Sequence, residues 1–332
     1  MLRNILITGG AGFIGSNFVQ YFFEKYANYY AVVLDKLTYA GSLDNLKKCE
    51  SLPNYTFAQG DICNASLVSE IFEKYDISDV IHFAAESHVD NSIANPLSFV
   101  ETNVLGTATL LEVFRKKYPQ STTNRFHHIS SDEVYGTLGK VGYFTEETAY
   151  APNSPYSASK AGSDMLVRSY FHTYNLNVVT SNCSNNYGPK QHSEKLIPTI
   201  IRYALAEEPI PIYGDGKNIR DWLYVMDHCR AVDLIFHEGR SGETYNIGCR
   251  NERSNLQIAY KICELLDARH QRKSWNYSKL ITFVPDRPGH DRRYAIDATK
   301  LRTELHWKAE ESFDTGIAKT VEWYLERISK KN

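Results

Sequence analysis

The sequence lacks the features that define several large classes of protein. Its 332 residues contain no apolar run approaching the ~18 residues that a membrane-spanning helix needs. Lysine and arginine total 37 against 39 aspartates and glutamates, so the basic excess typical of nucleic-acid binders is missing. The apolar run at the N-terminus is too short for a signal-peptide core. We therefore expect a cytoplasmic protein with neither a nucleic-acid nor a membrane partner.

Cysteine is scarce and scattered. The cysteines are Cys49, Cys63, Cys183, Cys229, Cys249 and Cys263. Their spacing is irregular and includes no Cys-x-x-Cys pair, whereas a zinc site needs clustered ligands. The sequence predicts six reduced thiols and no metal site.

What the chain does contain is an alternation of short apolar runs with helical segments. Predicted strands cover residues 5–8, 30–34, 54–58, 80–84, 125–130 and 176–182. Predicted helices cover residues 12–26, 65–75, 96–118 and 155–174. Such alternation predicts an α/β fold with a Rossmann-type, doubly wound parallel sheet.

The pattern loosens after residue 185. Helices are predicted at 195–207, 226–237, 254–266 and 313–328, and short strands at 210–213 and 221–225. We expect a nucleotide-binding Rossmann domain over residues 1–185 and a smaller, mixed α/β substrate-binding lobe over 186–332. Elements of the two are expected to interleave, so the boundary is soft.

A glycine-rich turn joins the first strand to the first helix. Gly9, Gly12 and Gly15 allow a tight turn and a close backbone approach to a pyrophosphate at the helix N-terminus. Asp35 ends the second strand, where a carboxylate accepts from both ribose hydroxyls and repels a 2′-phosphate. The pattern favours NAD over NADP, although a surface aspartate is the alternative for Asp35. Asp61 either meets the adenine amino group or lies exposed in a loop.

Tyr156 and Lys160 are four residues apart at the start of a predicted helix, so their side chains share one face. A cation near a phenol favours the phenolate and lowers its pKa from about 10. The pair can then take a proton from an alcohol while a hydride leaves the same carbon. The alternative is a surface tyrosine and a solvated lysine.

Two adjacent carboxylates, Asp132 and Glu133, follow the fifth strand. Elimination of water needs an acid for the leaving hydroxyl and a base for the α-proton. Close carboxylates repel, so one can hold its proton near neutral pH. An acidic turn without a catalytic role is the alternative. His127 and His128, on the strand itself, are predicted to be packed or hydrogen-bonded.

Several longer segments carry a resemblance that extends over nearly the whole chain. They read TGGAGFIGSN, LDKLTYAG, HFAAESHVDNSI, SSDEVYG, PNSPYSASKAGSD, NCSNNYGP, EKLIP, PIYGDG, IRDWLYV and RPGHDRRYAID. Together they resemble the extended short-chain dehydrogenase/reductase superfamily and, within it, the nucleotide-sugar 4,6-dehydratases.

The resemblance implies a hydro-lyase that converts dTDP-glucose to dTDP-4-keto-6-deoxyglucose and water, with NAD regenerated in each turnover. In it Tyr156, assisted by Lys160 and Ser131, removes the C4 hydroxyl proton. Glu133 takes the C5 proton, and Asp132 protonates the C6 hydroxyl. The resemblance also implies a homodimer in which helices 96–118 and 155–174 pack as a two-fold four-helix bundle. The alternative is that the apolar faces of these helices are buried within the subunit.

Three alternatives stay open. One is a UDP-glucose substrate, and another is an NAD-dependent sugar-nucleotide C4 epimerase, which needs no acid–base pair for water loss. The third is a non-catalytic NAD-sensing protein, a class that usually loses the tyrosine or the lysine.

The resemblance also assigns contacts. Cofactor contacts fall on Gly9, Gly12, Phe13, Ile14, Gly15, Asp35, Lys36, Thr38, Asp61, Ile62, Phe83, Ala84, Ala85, Thr102, Tyr156, Lys160 and Asn186. Nucleotide-sugar contacts fall on Ser87, Ser131, Asn185, Lys195, Leu196, Pro211, Tyr213, Arg220, Asn255, Arg287 and His290. Arg220 and Arg287 suit a sugar diphosphate, because guanidinium forks bind phosphate oxygens. A solvated charged loop is the alternative for residues 286–293.

The sequence departs from the family pattern in three places. Position 131 is serine where relatives commonly have threonine, and serine keeps the hydroxyl group. Residues 190–193 read KQHS where the family is usually aromatic-rich, which leaves nucleotide and sugar selectivity open. The chain stops soon after Trp323, so a tail contact to the nucleotide is expected to be missing.

Overall fold

The structure, a computed structural model, describes residues 3–269 and 275–329. The strands are β1 (Arg3–Thr8), β2 (Tyr29–Asp35), β3 (Tyr55–Gln59), β4 (Asp79–His82), β5 (Phe126–Ser131), β6 (Val178–Cys183), β7 (Asn185–Tyr187), β8 (Ile210–Tyr213), β9 (Ile219–Tyr224), β10 (Thr244–Ile247), β11 (Glu252–Ser254) and β12 (Ile281–Val284). The helices are α1 (Phe13–Lys25), α2 (Ala65–Lys74), α3 (Val89–Ala94), α4 (Pro96–Phe99), α5 (Gly106–Lys117), α6 (Pro155–Tyr174), α7 (Leu196–Leu205), α8 (Val225–Glu238), α9 (Asn255–Arg269), α10 (Thr299–Leu305) and α11 (Phe313–Ser329). Short 3-10 turns occupy Leu43–Asn45, Lys47–Cys49, Asp132–Tyr135 and Tyr277–Leu280.

One large parallel sheet organises the molecule. Within the described ranges its seven strands run in the order β10-β6-β5-β4-β1-β2-β3, and each neighbouring pair is parallel. The chain moves outward from β1 in one direction through β2 and β3, and in the other through β4, β5 and β6. A crevice therefore opens at the carboxyl ends of β1 and β4, where ligands bind in such sheets. The predicted Rossmann-type α/β fold is confirmed.

Apolar side chains cover both faces of this sheet, as parallel sheets require. Phe18 and Phe22 of α1 pack with Ile235 of α8 on one face. Phe72 of α2 and Phe114 of α5 pack on the other. Each is nearly or fully inaccessible to solvent, and burial of each stabilises the fold by about 1.5–3 kcal/mol.

Residues after 185 build smaller sheets and also return to the large one. Strands β11, β9 and β7 form one sheet, and β12 pairs in parallel with β8. A separate core holds Ile200 of α7, Ile262 of α9 and Ile317 of α11. Strand β10, which the sequence pattern did not reveal, pairs in parallel with β6 at the edge of the large sheet. The domain boundary near residue 185 stays a prediction.

The long helix predicted over 96–118 has an irregular middle. A π-helical segment, Val100–Leu105, connects α4 to α5. The side chain of Asn103 in it is buried, accepts from the backbone N–H of Glu86 at 2.8 Å and donates to the Ser159 hydroxyl at 2.8 Å. Segments of this kind often occur at functional sites. Here the segment ties the loop after β4 to α6.

All six cysteine thiols are unpaired, as predicted. No helix in the described part of the chain is long and apolar enough to cross a membrane. The same residues contain no cluster of histidine, cysteine and carboxylate side chains suited to a metal ion.

Candidate active site

A cleft lies at the carboxyl ends of the central strands, and it brings together residues from distant parts of the chain. It is lined by Gly9, Gly12, Phe13, Ile14, Gly15, Asp35, Lys36, Thr38, Asp61, Ile62, Phe83, Ala84, Ala85, Thr102, Ser131, Asp132, Glu133, Tyr156, Lys160 and Asn186, among others. Every residue predicted for catalysis or cofactor binding is in this set. The contacts each would make with a ligand stay predictions.

The glycines of the first turn serve two different purposes. Gly9 has a φ of 71°, and a Cβ there would lie 2.5 Å from the backbone nitrogen of Ala84. A Cβ on Gly15 would lie 2.2 Å from the carbonyl oxygen of Gly9, so packing alone demands glycine at both positions. A Cβ on Gly12 would meet that same oxygen at 3.4 Å, an ordinary contact. Protein packing does not require glycine at position 12, whereas a ligand that approaches the α1 N-terminus does.

The N-terminus of α1 is suited to an anion. Gly12 is its N-cap, and no side chain caps the helix. The first N–H groups of α1 are therefore available, and the helix dipole adds partial positive charge there. Together with the space at Gly12, this turn fits the pyrophosphate of a dinucleotide.

Two carboxylates lie at the far end of the cleft. The backbone N–H groups of Ala11 and Leu37 donate to Asp35 at 2.9 and 2.8 Å, which orients its carboxylate at the end of β2. Burial raises the pKa of Asp35, and these two bonds oppose the rise. Asp61 is not a free loop residue, because it pairs with Lys36 at 2.6 Å. Burial raises the pKa of Asp61, but the hydrogen bond from Lys36 helps to bring it below the usual value.

Tyr156 and Lys160 occupy the first turns of α6, where a capping box between Ser154 and Ser157 starts the helix. Both side chains are buried. The expectation that the pKa of Tyr156 is lowered is wrong for this structure. Burial and the nearby Glu133 carboxylate raise it well above the usual value, and a hydrogen bond with Ser131 only partly opposes this.

Lys160 does not direct its ammonium group at the phenol in this arrangement. Its Nζ donates to the carbonyl oxygen of Ile129 at 2.8 Å. Burial lowers the pKa of Lys160, and the carboxylate of Asp164 opposes that change. The sequence shows that Tyr156 and Lys160 share a helix face. It does not show the burial that raises the pKa of Tyr156, because that burial comes from the tertiary fold.

Asp132 and Glu133 begin the 3-10 turn that follows β5. The hydroxyl of Ser131 accepts from the backbone N–H of Glu133 at 3.2 Å and so caps this turn. Asp132 is only 1% exposed, and its Oδ2 has no hydrogen-bond partner among the described residues. Burial and the adjacent Glu133 raise the pKa of Asp132 well above its usual value.

Glu133 has a different environment. Burial raises its pKa too, but the cationic side chains of Arg287, Arg220 and Lys195 oppose the rise. The two carboxyls therefore differ, because nearby cations oppose the effect of burial at Glu133 whereas the adjacent carboxylate adds to it at Asp132. Their roles as proton donor and base stay predictions.

The predicted substrate-binding residues divide into two groups. Ser87, Ser131, Asn185 and Lys195 line the cleft. Leu196, Pro211, Tyr213, Arg220, Asn255, Arg287 and His290 lie outside the lining set. Leu196 begins α7 directly after Lys195, Pro211 lies on β8, and Asn255 begins α9.

Arg220 and Arg287 lie close enough to Glu133 to lower its pKa, although they do not line the cleft. The Arg220 guanidinium is 4.2 Å from the Tyr294 ring centroid and donates to the carbonyl of Asp291 at 3.0 Å. Arg287 pairs with Asp90 at 3.6 Å.

Tyr213 and His290 extend the rim around Arg287. The hydroxyl of Tyr213 donates to Asp90 at 3.3 Å, and His290 lies 2.6 Å from Asp286. These contacts place Arg287, Tyr213 and His290 beside the carboxylates of Asp90 and Asp286.

Some lining residues were not predicted individually. They are Leu34, Ala40, Gly41, Gly60, Glu86, Ile129, Ser130, Cys183, Ser184, Gln191, His192 and Glu194. Leu34, Ala40, Gly41, Glu86, Ser130, Cys183, Ser184 and Glu194 lie inside the segments that carry the resemblance, so that signal was present. Gln191 and His192 belong to the segment that departs from the family, which offered no assignment.

The two histidines of β5 are hydrogen-bonded, as predicted. Both are fully buried. His127 Nε2 lies 3.0 Å from the Ser181 hydroxyl, and His128 Nε2 lies 3.1 Å from Asp164. Burial lowers the pKa of each well below its usual value, so both are neutral.

A doubly wound parallel sheet, a dinucleotide turn and a buried tyrosine–lysine pair on one helix define an enzyme of the extended short-chain dehydrogenase/reductase class. The family model described as GDP-mannose 4,6 dehydratase matches residues 6–320. The probable dTDP-glucose 4,6-dehydratase of Sinorhizobium fredii is 56% identical over 327 residues, which cover 97% of this chain and 93% of that protein.

Solved structures agree with this assignment. The dTDP-glucose 4,6-dehydratase of Bacillus anthracis, crystallised in complex with NAD, is 47% identical with a TM-score of 0.88, and the match covers 98% of each chain. DesIV, a dTDP-glucose 4,6-dehydratase from Streptomyces venezuelae with NAD bound, is 42% identical with a TM-score of 0.89 over 99% of this chain and 98% of that one. The chain belongs to the GDP-mannose 4,6 dehydratase family and, within it, to the dTDP-glucose 4,6-dehydratases.

Proposed function

We propose that this protein is a hydro-lyase that converts dTDP-glucose to dTDP-4-keto-6-deoxyglucose and water. The observation that carries the proposal is the buried Asp132 and the half-buried Glu133 beside Tyr156. Burial and charge separate the two carboxyls into a proton donor and a base. The relatives and solved structures with that activity support the same reaction.

The residues of the cleft fit NAD as the cofactor. Gly12 and the free N–H groups at the start of α1 would bind the pyrophosphate, and Asp35 would accept from the adenosine ribose hydroxyls. When bound, NAD would supply the hydride acceptor for oxidation at C4 and, in its reduced form, the hydride for C6. The carboxylate of Asp35 disfavours the 2′-phosphate of NADP.

Tyr156 removes the proton of the C4 hydroxyl. The hydrogen bond with Ser131 favours the phenolate that forms, and Lys160, buried one turn further along α6, adds positive charge nearby. Because burial opposes phenolate formation, these two neighbours decide whether Tyr156 can act as a base near neutral pH.

Glu133 and Asp132 carry out the elimination. Glu133 takes the C5 proton, which the C4 ketone makes acidic. Asp132, which burial keeps protonated, donates to the C6 hydroxyl as it leaves. The sugar diphosphate is bound by Lys195, which lines the cleft, and by Arg220 and Arg287, which lie beyond its lining near Glu133.

A C4 epimerase uses the same turn, tyrosine and lysine, so the fold alone does not separate the two reactions. Epimerisation eliminates no water, so it needs no acid to protonate a leaving hydroxyl. The absence of a hydrogen-bond partner for Asp132 Oδ2 within the described residues favours the dehydratase, because that carboxyl has a proton to give to a ligand.

We also propose a cytoplasmic homodimer. Leu97, Val100, Leu105 and Met165 lie on the helices between residues 96 and 174 and are 76%, 50%, 53% and 50% exposed. Exposed apolar side chains of this size on neighbouring helices are typical of an interface. Light scattering should give twice the mass of the chain, whereas a monomeric mass would contradict the dimer.

The reaction is tested by incubating the enzyme separately with dTDP-glucose and with UDP-glucose. Mass spectrometry should show loss of one water from dTDP-glucose and a 4-keto-6-deoxy product. A faster reaction with UDP-glucose would assign the other nucleotide. An unchanged mass with an inverted C4 would assign an epimerase.

A further inference from the structure

The buried carboxylate of Asp164 lies behind the cleft and has no role in the mechanism above. It is one α-helical turn beyond Lys160 on α6 and is 4% exposed. Burial raises its pKa to about 6, while Lys160 and hydrogen bonds from Ser130 and Tyr150 oppose the rise. A buried carboxylate is costly unless it is paired and hydrogen-bonded, and Asp164 has both kinds of partner.

Asp164 and Lys160 together hold three consecutive residues of β5. The Ser130 hydroxyl donates to Asp164 Oδ2 at 2.8 Å, and His128 Nε2 lies 3.1 Å from Asp164 Oδ1. Between those two residues, the Ile129 carbonyl accepts from Lys160 at 2.8 Å. The last residues of β5 before Ser131 are thus fixed to α6 through Lys160 and Asp164.

This attachment ends where the catalytic residues begin. Ser131 follows Ser130 directly, and Asp132 and Glu133 come next, whereas Tyr156 lies one turn before Lys160 on α6. The register between β5 and α6 therefore sets the distance between the two carboxyls and the phenol. Catalysis is sensitive to displacements of about 1 Å in such an arrangement.

We propose that Asp164 is a positioning residue for the dehydration. It fixes the end of β5 against α6 and supplies the buried counter-charge of Lys160. The proposal rests on the function proposed above, since Lys160 is the group through which Asp164 acts.

Other titratable groups surround Asp164. Lys160 lies on α6, His128 on β5 and Tyr150 on the segment before α6. His82 of β4 lies 5.3 Å from the His128 ring, and the Tyr135 ring lies 5.2 Å from Tyr150. Burial keeps both histidines neutral and both tyrosines protonated near pH 7. Lys160 and Asp164 are therefore the opposite charges of this cluster.

Asp164→Asn keeps the size of the side chain and removes its charge. A buried lysine that loses its counter-charge has a lower pKa, so the alkaline limb of the kcat–pH profile should move to lower pH by about one unit. We expect kcat to fall by about 10²-fold and KM to change little, because Asp164 does not line the cleft.

Asp233→Asn is the matched control. Asp233 on α8 is 1% exposed and likewise faces a lysine, Lys25, at 2.6 Å, but it lies at the contact between α8 and α1. This variant should lower thermal stability and leave the pH profile of kcat unchanged. An Asp164→Asn variant that behaves in the same way would overturn the proposal.

Tyr150→Phe tests the same role with a smaller change. It removes the hydrogen bond to Asp164 at 3.0 Å and retains the ring. The pKa of Asp164 should rise, so the acidic limb of kcat should move to higher pH. An unmoved limb would contradict the proposal even where Asp164→Asn fails to fold.

A measurement without substrate separates this proposal from the function itself. NMR titration of labelled lysine, with Lys160 assigned through Lys160→Ala, should give a lower pKa for Lys160 in Asp164→Asn than in the unmodified protein. Equal values would overturn the charge pairing whether or not dTDP-glucose is the substrate.

Discussion

Asp132→Asn should abolish most of the activity and at the same time stabilise the protein. The substitution keeps the shape of the side chain and removes the only proton that it can give to the C6 hydroxyl. Loss of a general acid lowers turnover by about 10²–10⁴-fold. The stabilisation follows from burial, since Asp132 is 1% exposed and its pKa is raised well above the usual value by burial and by Glu133.

The size of the stabilisation has an upper bound. An aspartate in the unfolded chain has a pKa of about 3.9. If folding requires the carboxylate to take up a proton, the free-energy cost rises by about 1.4 kcal/mol for each pH unit above that pKa. A carboxyl that stays protonated at pH 7 only in the folded state therefore destabilises it by at most roughly 4 kcal/mol. For 332 residues the unfolding entropy is about 0.7 kcal/mol/K, so the melting temperature should rise by up to about 6 °C.

The pH dependence has a definite sign. A raised pKa in the folded state opposes folding above the unfolded pKa, and the cost disappears as pH falls towards about 4. The melting temperature of Asp132→Asn should therefore exceed that of the unmodified protein at pH 7–8, with a difference that shrinks at lower pH. Differential scanning fluorimetry from pH 4.5 to 8 measures it.

Glu133→Gln is the control for this prediction. Arg287, Arg220 and Lys195 offset the charge of Glu133, so its removal should give a smaller gain or a loss of stability. An Asp132→Asn variant that is less stable than the unmodified protein at pH 8, or that turns over at a near-normal rate, would refute the assignment of Asp132 as a buried acid.

Further variants test the other assignments. Tyr156→Phe should lower turnover by about 10²–10⁴-fold with dTDP-glucose still bound, and a near-normal rate would point to another base. In heavy water, Glu133→Gln should block entry of deuterium at C5 whereas Asp132→Asn permits it, and the opposite result would reverse the two roles. Cofactor-stripped protein should regain activity with micromolar NAD, and equal rescue by NADP would contradict the role of Asp35.

Features set by nearby residues were predictable from the sequence. Short apolar runs indicate strands β1 and β2, and glycine indicates the turn after β1. The positions of Gly9, Gly12 and Gly15 after β1 and of Asp35 at the end of β2 could therefore be predicted. The i, i+4 spacing of Tyr156 and Lys160 requires only that the helix starts after Ser154. Each of these features depends on a few neighbouring residues, so a single sequence is enough to predict it.

Features set by distant residues were not predictable in this way. The edge strand Thr244–Ile247 reaches β6 from more than 60 positions away, and no local pattern specifies its partner. The π-helical Val100–Leu105 has the same apolar spacing as a regular helix. The pKa of Tyr156 is raised by burial in the whole fold and by the nearby Glu133, neither of which the spacing of Tyr156 and Lys160 indicates.

The transfer of a label within one sugar tests the dehydratase assignment most directly. The enzyme is incubated with dTDP-glucose that carries deuterium at C4, and the product is analysed by mass spectrometry and NMR. Dehydration with internal return predicts a 4-keto product that has lost one water and carries the deuterium at C6. A product of unchanged mass that retains deuterium at C4, with inverted configuration there, would contradict dehydration and assign epimerisation instead.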